Sequence, residues 1–454
     1  MGISLQLAEF VHDTRFEDIP ESVVEEQKKS IIDAIGITLG ASTLGDGCKD
    51  FVEMAEQFAS GGTPEATVIG FNKKLPMIWA AFANASMAHS LDYGDTNQRT
   101  PLHSNSSTFP TALALAEKLG NVTGKDLMTA LIVGSETACR VSSAILAPLE
   151  KYGFYMPPIL TSFGATAAAC KLLGLEPKQI VDALSFNLTQ TTCSSELTNA
   201  PTTIVRSVRE AFAAKNALIS AFAAQRGLSG FTEPLEGKNG FYHAYARGEE
   251  HMENVTRDLG KDYLCESLYF KLWPSCGGTH GTINCLLNIQ EKYHPNLDDI
   301  QEVHCILHER NRQLVEPLEV KRAPTTSMVG KFSIPYTGAV AMVKGNVTLS
   351  SFEPEVFNDA KVKQLASKFT YEVNKDWTSS SKNTVIVTMK DGTKYEHDYV
   401  RDMSRTPMDK VIEKMKSCAK YAYVPVDEER LDRVVDTVKQ FENMSNVSEL
   451  TELL

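Results

Sequence analysis

The 454-residue chain has no C-x-x-C pair among its nine cysteines, no G-x-x-x-x-G-K-[ST] loop, no G-x-G-x-x-G turn and no H-E-x-x-H motif. Each absence removes a class: a structural zinc ribbon, a phosphate-loop nucleotidase, a Rossmann dinucleotide site and a zinc protease. Basic residues are outnumbered, with 45 Lys and Arg against 57 Asp and Glu and a net charge of −12. Nucleic-acid or anionic-membrane binding, which needs a broad basic face, is therefore disfavoured, whereas a small anion in a locally basic pocket is not. No apolar run is long enough to span a bilayer, and MGISLQLAEFVHDTRFEDIP lacks the basic-then-apolar pattern of a secretory signal. Scattered and odd in number, the cysteines read as reduced thiols, and the expected compartment is the cytoplasm. Gly and Pro are few (28 and 19), while 43% hydrophobic and 22% charged residues describe an ordinary globular chain. Its length predicts two domains, or one domain carrying a large insertion.

Most of the first 265 residues read as helix. Val23, Val24, Ile31, Ile32, Ile35 and Leu39 follow Pro20 and Glu21 at helical spacing. The segments 77–90, 110–120, 125–145, 162–175, 177–190 and 209–228 are rich in Ala and Leu, and small residues let helices approach closely. This part predicts a helical bundle without a sheet. The pattern then changes. IQEVHCILHER (300–310) alternates like a half-buried strand, and NTVIVTMKDGTKYEHDYV (383–400) carries Asp391-Gly392 between two β-rich runs, a hairpin signal. Residues 357–369 and 406–422 return to helix. The expected fold is thus a large all-helical domain from 1–265 and 403–454, with a smaller α+β lid domain at 266–402.

Three stretches could carry chemistry. AHSLDYGDTNQRTPLHSNSS packs His89, Asp92, Asp95, Arg99 and His103 between two core segments. Asp92 and Thr96 are placed one helical turn apart, followed by a loop reaching 109 that holds His103, and a carboxylate near that imidazole would make it a general base or acid. The alternative is that these residues cap helix ends. KLWPSCGGTHG places Lys271, Cys276 and His280 around a Gly-Gly loop that opens a helix, whose N–H groups could take a carboxylate, or which could simply link two domains. IVRSVREAFAAKN brings Arg206 and Arg209 into an Ala-rich helix, facing either a pocket or solvent. His304 and His308 have an i, i+4 spacing but lie in a segment that reads as strand, so no metal is expected.

In order along the chain, AHSLDYGDT with His103, PTALALAEKLG, FGATAAACKLLGL, FAAKNALISAFAAQRGLSGF, KLWPSCGGTH and GKFSIPYTGAVAMVKGNV resemble the MmgE/PrpD family from about residue 5 to 420. That family includes 2-methylcitrate dehydratases, cis-aconitate decarboxylases and iminodisuccinate epimerases. The resemblance implies the same two-domain fold, usually as a homodimer, and proton transfer next to a carboxylate of a small di- or tricarboxylate, with no metal or organic cofactor. Position by position, it carries Asp92, Thr96, His103 and Lys271 into the site.

The chain also departs from the family. Gly94 stands where many members have a second Asp, Tyr155 replaces the His of a Gly-Phe-His block, and Arg206 takes the place of a Lys. Cys276 stands where cis-aconitate decarboxylases carry a His, and no Tyr lies between Tyr293 and Tyr336. The expectation is a dehydratase-type lyase with an epimerase or a decarboxylase as alternatives, and a non-catalytic binding homologue as the remaining one. His103 would move the proton, Asp92 would orient it or bind a hydroxyl with Thr96, and Arg206 and Lys271 would hold carboxylates. Tyr155, Cys276 and His280 would line the pocket.

Overall fold

The computed structural model describes residues 2–100, 102–200, 203–377, 382–402 and 404–454. The chain divides into two compact units, Met1–Phe270 with Arg405–Leu454, and Lys271–Ser404. In chain order the first unit begins with α1 (Ile3–Asp13), α2 (Glu21–Leu44), α3 (Cys48–Phe58), the strand pair β1 (Ala66–Val68) and β2 (Lys73–Leu75), and α4 (Met77–Ala88). It continues with β3 (Asp95–Asn97), α5 (Asn105–Leu119), α6 (Gly124–Ser143), α7 (Met156–Leu172), α8 (Pro177–Leu188), α9 (Val205–Val208), α10 (Glu210–Gln225) and β4 (Leu268–Phe270). The second unit holds α11 (His280–Tyr293), β5 (Ile300–His308), α12 (Leu318–Arg322), α13 (Ser327–Lys331), α14 (Ile334–Lys344), α15 (Pro354–Phe357), α16 (Ala360–Ala366), β6 (Phe369–Asn374), β7 (Asn383–Met389) and β8 (Lys394–Tyr399). The chain then returns to the first unit through α17 (Met408–Ala419), α18 (Glu428–Lys439) and α19 (Ser448–Thr451).

Helix burial in the first unit follows composition. In α2, where apolar and small residues surround the axis, 18 of 24 residues are buried, as a helix wrapped by neighbours requires. By contrast α18 buries only Leu431, Val434, Val435 and Val438, one stripe of a charged helix lying on the surface. Gly134 of α6 and Gly164 of α7 let two backbones meet: a Cβ on Gly134 would stand 2.7 Å from the Gly164 carbonyl oxygen, and one on Gly164 would stand 2.6 Å from that of Gly134. The expectation of a sheet-free bundle needs correction, because β1 pairs with β2 and β3 with β4. These strands are three residues long, too short to show a period of two.

The second unit is a four-stranded sheet in the order β6-β5-β7-β8, with β5 parallel to β6 and antiparallel to β7. Val303, Cys305 and Leu307 of β5 and Val385 and Val387 of β7 join Ile283, Leu286, Val340 and Val362 of the helices in one core. The hairpin at Asp391-Gly392 forms, with Gly392 at φ 88°. Helix α16 stops at Ala366, so the helix expected over 357–369 is shorter and is followed by β6, whose pairing with β5 outweighs its weak local pattern.

Candidate active site

The stretch after α4 is a built loop. Helix α4 ends at Ala88, Asp92 turns the chain at φ 51°, in the left-handed region that Asp tolerates better than most residues, and its N–H donates to the His89 carbonyl at 3.0 Å. Residues Asp95–Asn97 then run extended against β4, with Asp95 opposite Phe270 and Thr96 opposite Tyr269. Asp92 and Thr96 therefore do not share a helical face, contrary to the sequence reading: the turn at Asp92 and the β pairing intervene. The loop is also shorter than expected, because α5 starts at Asn105 and carries Pro110 in its interior. Its early polar residues are used tertiarily, Asn105 donating to Ser30 and Ser107 to Glu210, which favours helix well before the proline.

A buried network holds this loop in place. The Asp95 N–H donates to Asp33 Oδ2 at 3.0 Å, and Asp33 Oδ1 is paired with Lys414 Nζ of α17 at 2.7 Å. Lys414 also donates to the Tyr93 carbonyl at 2.5 Å and lies 4.1 Å from the Tyr93 ring centroid. Desolvation raises the Tyr93 phenol well above its ordinary range. Asn97 Nδ2 donates to the Leu264 carbonyl at 2.6 Å, while its Oδ1 accepts from the N–H groups of Arg99 and Thr100. Arg99 grips Asp262 through two 2.7 Å bonds at the surface.

Within this frame His103 Nδ1 lies 2.6 Å from the Asp95 carbonyl oxygen and 3.3 Å from Thr96 Oγ1. A carbonyl only accepts, so Nδ1 carries the proton, and in the neutral ring the lone pair is at Nε2. His89, buried and named in the sequence stretch without a role, packs against His103 with ring centroids 4.0 Å apart and planes tilted by 35°, and places Nε2 3.3 Å from Asp92 Oδ1. Thus Asp95 through its backbone orients His103, and Asp92 engages His89. Gly94 lies beside them, where a Cβ would meet Ile37 at 3.7 Å and His89 Nδ1 at 3.9 Å.

Tyr155 and Arg206 occupy the same neighbourhood from other elements. The Tyr155 ring lies 5.2 Å from the Arg206 guanidinium and 5.3 Å from that of Arg209, which the sequence singles out beside Arg206 without giving it a role. Arg209 is only 3% exposed, and its pKa stays raised despite burial, which opposes the charge, because Tyr155, Glu210, Asp92 and Cys193 act on it together. Cys193 is pushed up to about 11 by burial, against the pull of Arg209 and Arg206, so it is a thiol at neutral pH. The first unit thus assembles Asp92, Thr96, His103, Tyr155 and Arg206 and adds His89 and Arg209. Arginines entering an Ala-rich helix were the sequence signal for Arg209 as for Arg206; the His89–Asp92 pairing had only its spacing.

In the second unit Lys271, 4% exposed, follows directly on β4. His280 is fully buried at the start of α11, and its Nε2–H donates to the Trp273 carbonyl at 3.1 Å with the ring edge-on to Trp273. Cys276 is half-buried, and its N–H donates to the Lys331 carbonyl at 2.9 Å. Gly278 is closely packed, since a Cβ there would lie 2.5 Å from the Leu314 side chain and 2.7 Å from Asn311 Oδ1. His304 donates or accepts at Thr370 Oγ1 (2.8 Å) across the sheet, and among the described residues no group of three or more His, Cys, Asp or Glu is placed to hold a metal ion. Among the same residues no helix is long and apolar enough to cross a membrane.

Against known proteins, the chain matches the MmgE/PrpD N-terminal domain over residues 5–254 and the MmgE/PrpD C-terminal domain over residues 273–440. The cis-aconitate decarboxylase-like protein oryM of Aspergillus oryzae is 29% identical across 100% of this chain and 97% of its own. Human cis-aconitate decarboxylase is 26% identical across 100% and 94%. The 2-methylcitrate dehydratase of Escherichia coli is 23% identical across 72% and 71%.

Proposed function

The chain belongs to the MmgE/PrpD family of lyase-type enzymes, and from that premise we propose that it removes water from a small hydroxylated di- or tricarboxylate by taking a proton α to a carboxylate. The observation that carries this reading is the 2.6 Å contact between His103 Nδ1 and the Asp95 carbonyl oxygen: with Nδ1–H given to that carbonyl, Nε2 is the basic atom of a ring whose orientation is fixed. In the step, Nε2 takes the α proton, the C–H electron pair forms the new C=C bond, and the adjacent C–O bond breaks as a second acid protonates the departing hydroxyl. Tyr155, against two guanidiniums, is assigned that acid, and Arg206 a carboxylate. Lys271 is assigned another carboxylate, and Cys276 and His280 the pocket lining, on the family resemblance. The chain supplies all of these groups itself, so the reading requires no metal or organic cofactor.

Loss of CO₂ is the second reading, favoured by relatives matched over 97% and 94% of their length being named cis-aconitate decarboxylase-like and cis-aconitate decarboxylase. There the carbanion left by decarboxylation would take a proton from His103. Incubating the protein with citrate, 2-methylcitrate, cis-aconitate and aspartate-derived acids, followed by NMR in D₂O, separates an alkene with water, a decarboxylated product, and deuterium incorporation with inversion. His103→Ala should lower kcat by roughly 10²–10⁴-fold, and near-intact turnover would remove His103 from the mechanism. We also propose a homodimer: Val205, Phe212, Ile219 and Phe58 leave apolar surface 42–63% exposed on the first unit, which light scattering can test. The expected compartment is the cytoplasm.

A further inference from the structure

We propose that Arg209 is the inner carboxylate receptor of this site and Arg206 its outer counterpart, so that the substrate is gripped as a dicarboxylate on either side of Tyr155's contacts. The inference rests on the lyase reading only for the identity of the anion.

Arg209 has been taken out of water without being given enough acceptors. Its side chain is 3% exposed, and its neighbour in the ion pair, Glu210, is fully buried. Arg209 Nε comes within 3.2 Å of Glu210 Oε1, yet the direction is wrong for a hydrogen bond, and both atoms lack one. The other Glu210 oxygen is used by Ser107 at 2.6 Å and Thr161 at 3.0 Å, which tie α5, α7 and α10 together. Arg209 Nη1 donates to the Arg206 carbonyl, and Nη2 has no acceptor among the described residues. A guanidinium has five donors in a rigid fork that matches the two oxygens of a carboxylate, and leaving buried charged donors unmet is costly. A purely structural ion pair would turn the fork onto Glu210. Here Glu210 supplies compensating charge and leaves an edge for something else.

Position supplies the second argument. The carboxylate of Asp92 acts on Arg209, as does the Tyr155 phenol, so the fork belongs to the same neighbourhood as the loop that carries His103. Arg206 is half-buried and three residues earlier, its guanidinium against the same ring. Two guanidiniums at different depths against one aromatic ring suit two carboxylates of one small molecule, and a Lys at either place would lose the fork.

Two variants test this. Arg209→Lys keeps the charge beside Glu210 but loses the fork, and the double variant Arg209→Gln/Glu210→Gln removes both buried charges together, so that folding is not compromised by an orphaned carboxylate. With the acid that wild type turns over, both should raise KM by about tenfold or more while kcat stays within about threefold, as expected when a bidentate contact is lost from binding. KM within about twofold of wild type in both variants overturns the proposal. Thermal shift with citrate, and with acetate as a monocarboxylate control, gives a readout independent of turnover. If wild type turns over none of the acids but gains stability with citrate, loss of that gain in both variants supports Arg209 while overturning the lyase reading alone. A gain retained in both, or absent from wild type with every polycarboxylate, overturns the Arg209 assignment.

Discussion

Replacing Lys414 by Met should unsettle the candidate site from a helix near the far end of the chain. Lys414 Nζ lies 2.7 Å from Asp33 Oδ1, with the two side chains 7% and 1% exposed, and it also donates to the Tyr93 carbonyl at 2.5 Å. Methionine nearly preserves the volume of the stem, so what is removed is charge. Asp33 would then be a buried carboxylate without its cation, and breaking one side of such a pair costs about 3–5 kcal/mol. That is a large share of the roughly 5–15 kcal/mol by which domains are stable. Urea unfolding followed by circular dichroism should show the loss as a lower midpoint. The double variant Asp33→Asn/Lys414→Met should recover most of it, because the side-chain amide oxygen introduced in place of the carboxylate can still accept from the Asp95 N–H. The pair also feeds function: Lys414 fixes Asp33, Asp33 fixes the Asp95 amide, and the Asp95 carbonyl fixes His103 Nδ1. Turnover should therefore fall in the single variant and return in part in the double one. A Lys414→Met protein within about 1 kcal/mol of wild type, or a double variant no more stable than the single, would refute the reasoning.

Other substitutions probe the same loop. Gly94→Ala should fold and unfold within about 1 kcal/mol of wild type in urea, since its added Cβ meets nothing closer than 3.7 Å; a larger loss would mean that the glycine is structurally required. If stability holds, a changed substrate profile assigns Gly94 to specificity. Arg99→Gln removes the hydrogen bonds that hold the Asp262 carboxyl below its ordinary range. A depressed carboxylate contributes stability above its unfolded pKa of about 3.9 and loses it as pH falls through the folded value, so the Tm gap between wild type and variant should be steady above about pH 5 and close below it. A gap independent of pH down to about pH 2 would count against this pair.

Local pattern carried the long helices well: the segments expected at 125–145 and 177–190 occur as Gly124–Ser143 and Pro177–Leu188. It also carried β5 and the Asp391-Gly392 hairpin, where alternation and a turn dipeptide agree. It failed where partners distant in sequence decide. Asn105 and Ser107 extend α5 ahead of Pro110 because Ser30 and Glu210 receive them, and β3 exists because β4, some 170 residues later, pairs with it. The site divides in the same way. The residue types at 89–103 announced chemistry, and the family resemblance selected Asp92, Thr96 and His103. That His103 is aimed by a backbone carbonyl, that His89 answers Asp92, and that Arg209 is buried could emerge only from packing.

The meeting of Gly134 and Gly164 bears on how this chain can change over generations. Each residue's missing side chain is occupied by the other's carbonyl oxygen, at 2.7 and 2.6 Å from where a Cβ would be. Enlarging one cannot be offset by shrinking the other, because the other is already the smallest residue and the obstacle is backbone. No sequence of single tolerated steps leads away from the pair unless α6 and α7 first move apart. Since α7 also carries Thr161, which helps hold Glu210 and through it Arg209, such a shift would reach the candidate site. Drift in substrate preference should thus run through positions such as Gly94, where there is room, while the glycine seam resists drift and keeps the scaffold constant.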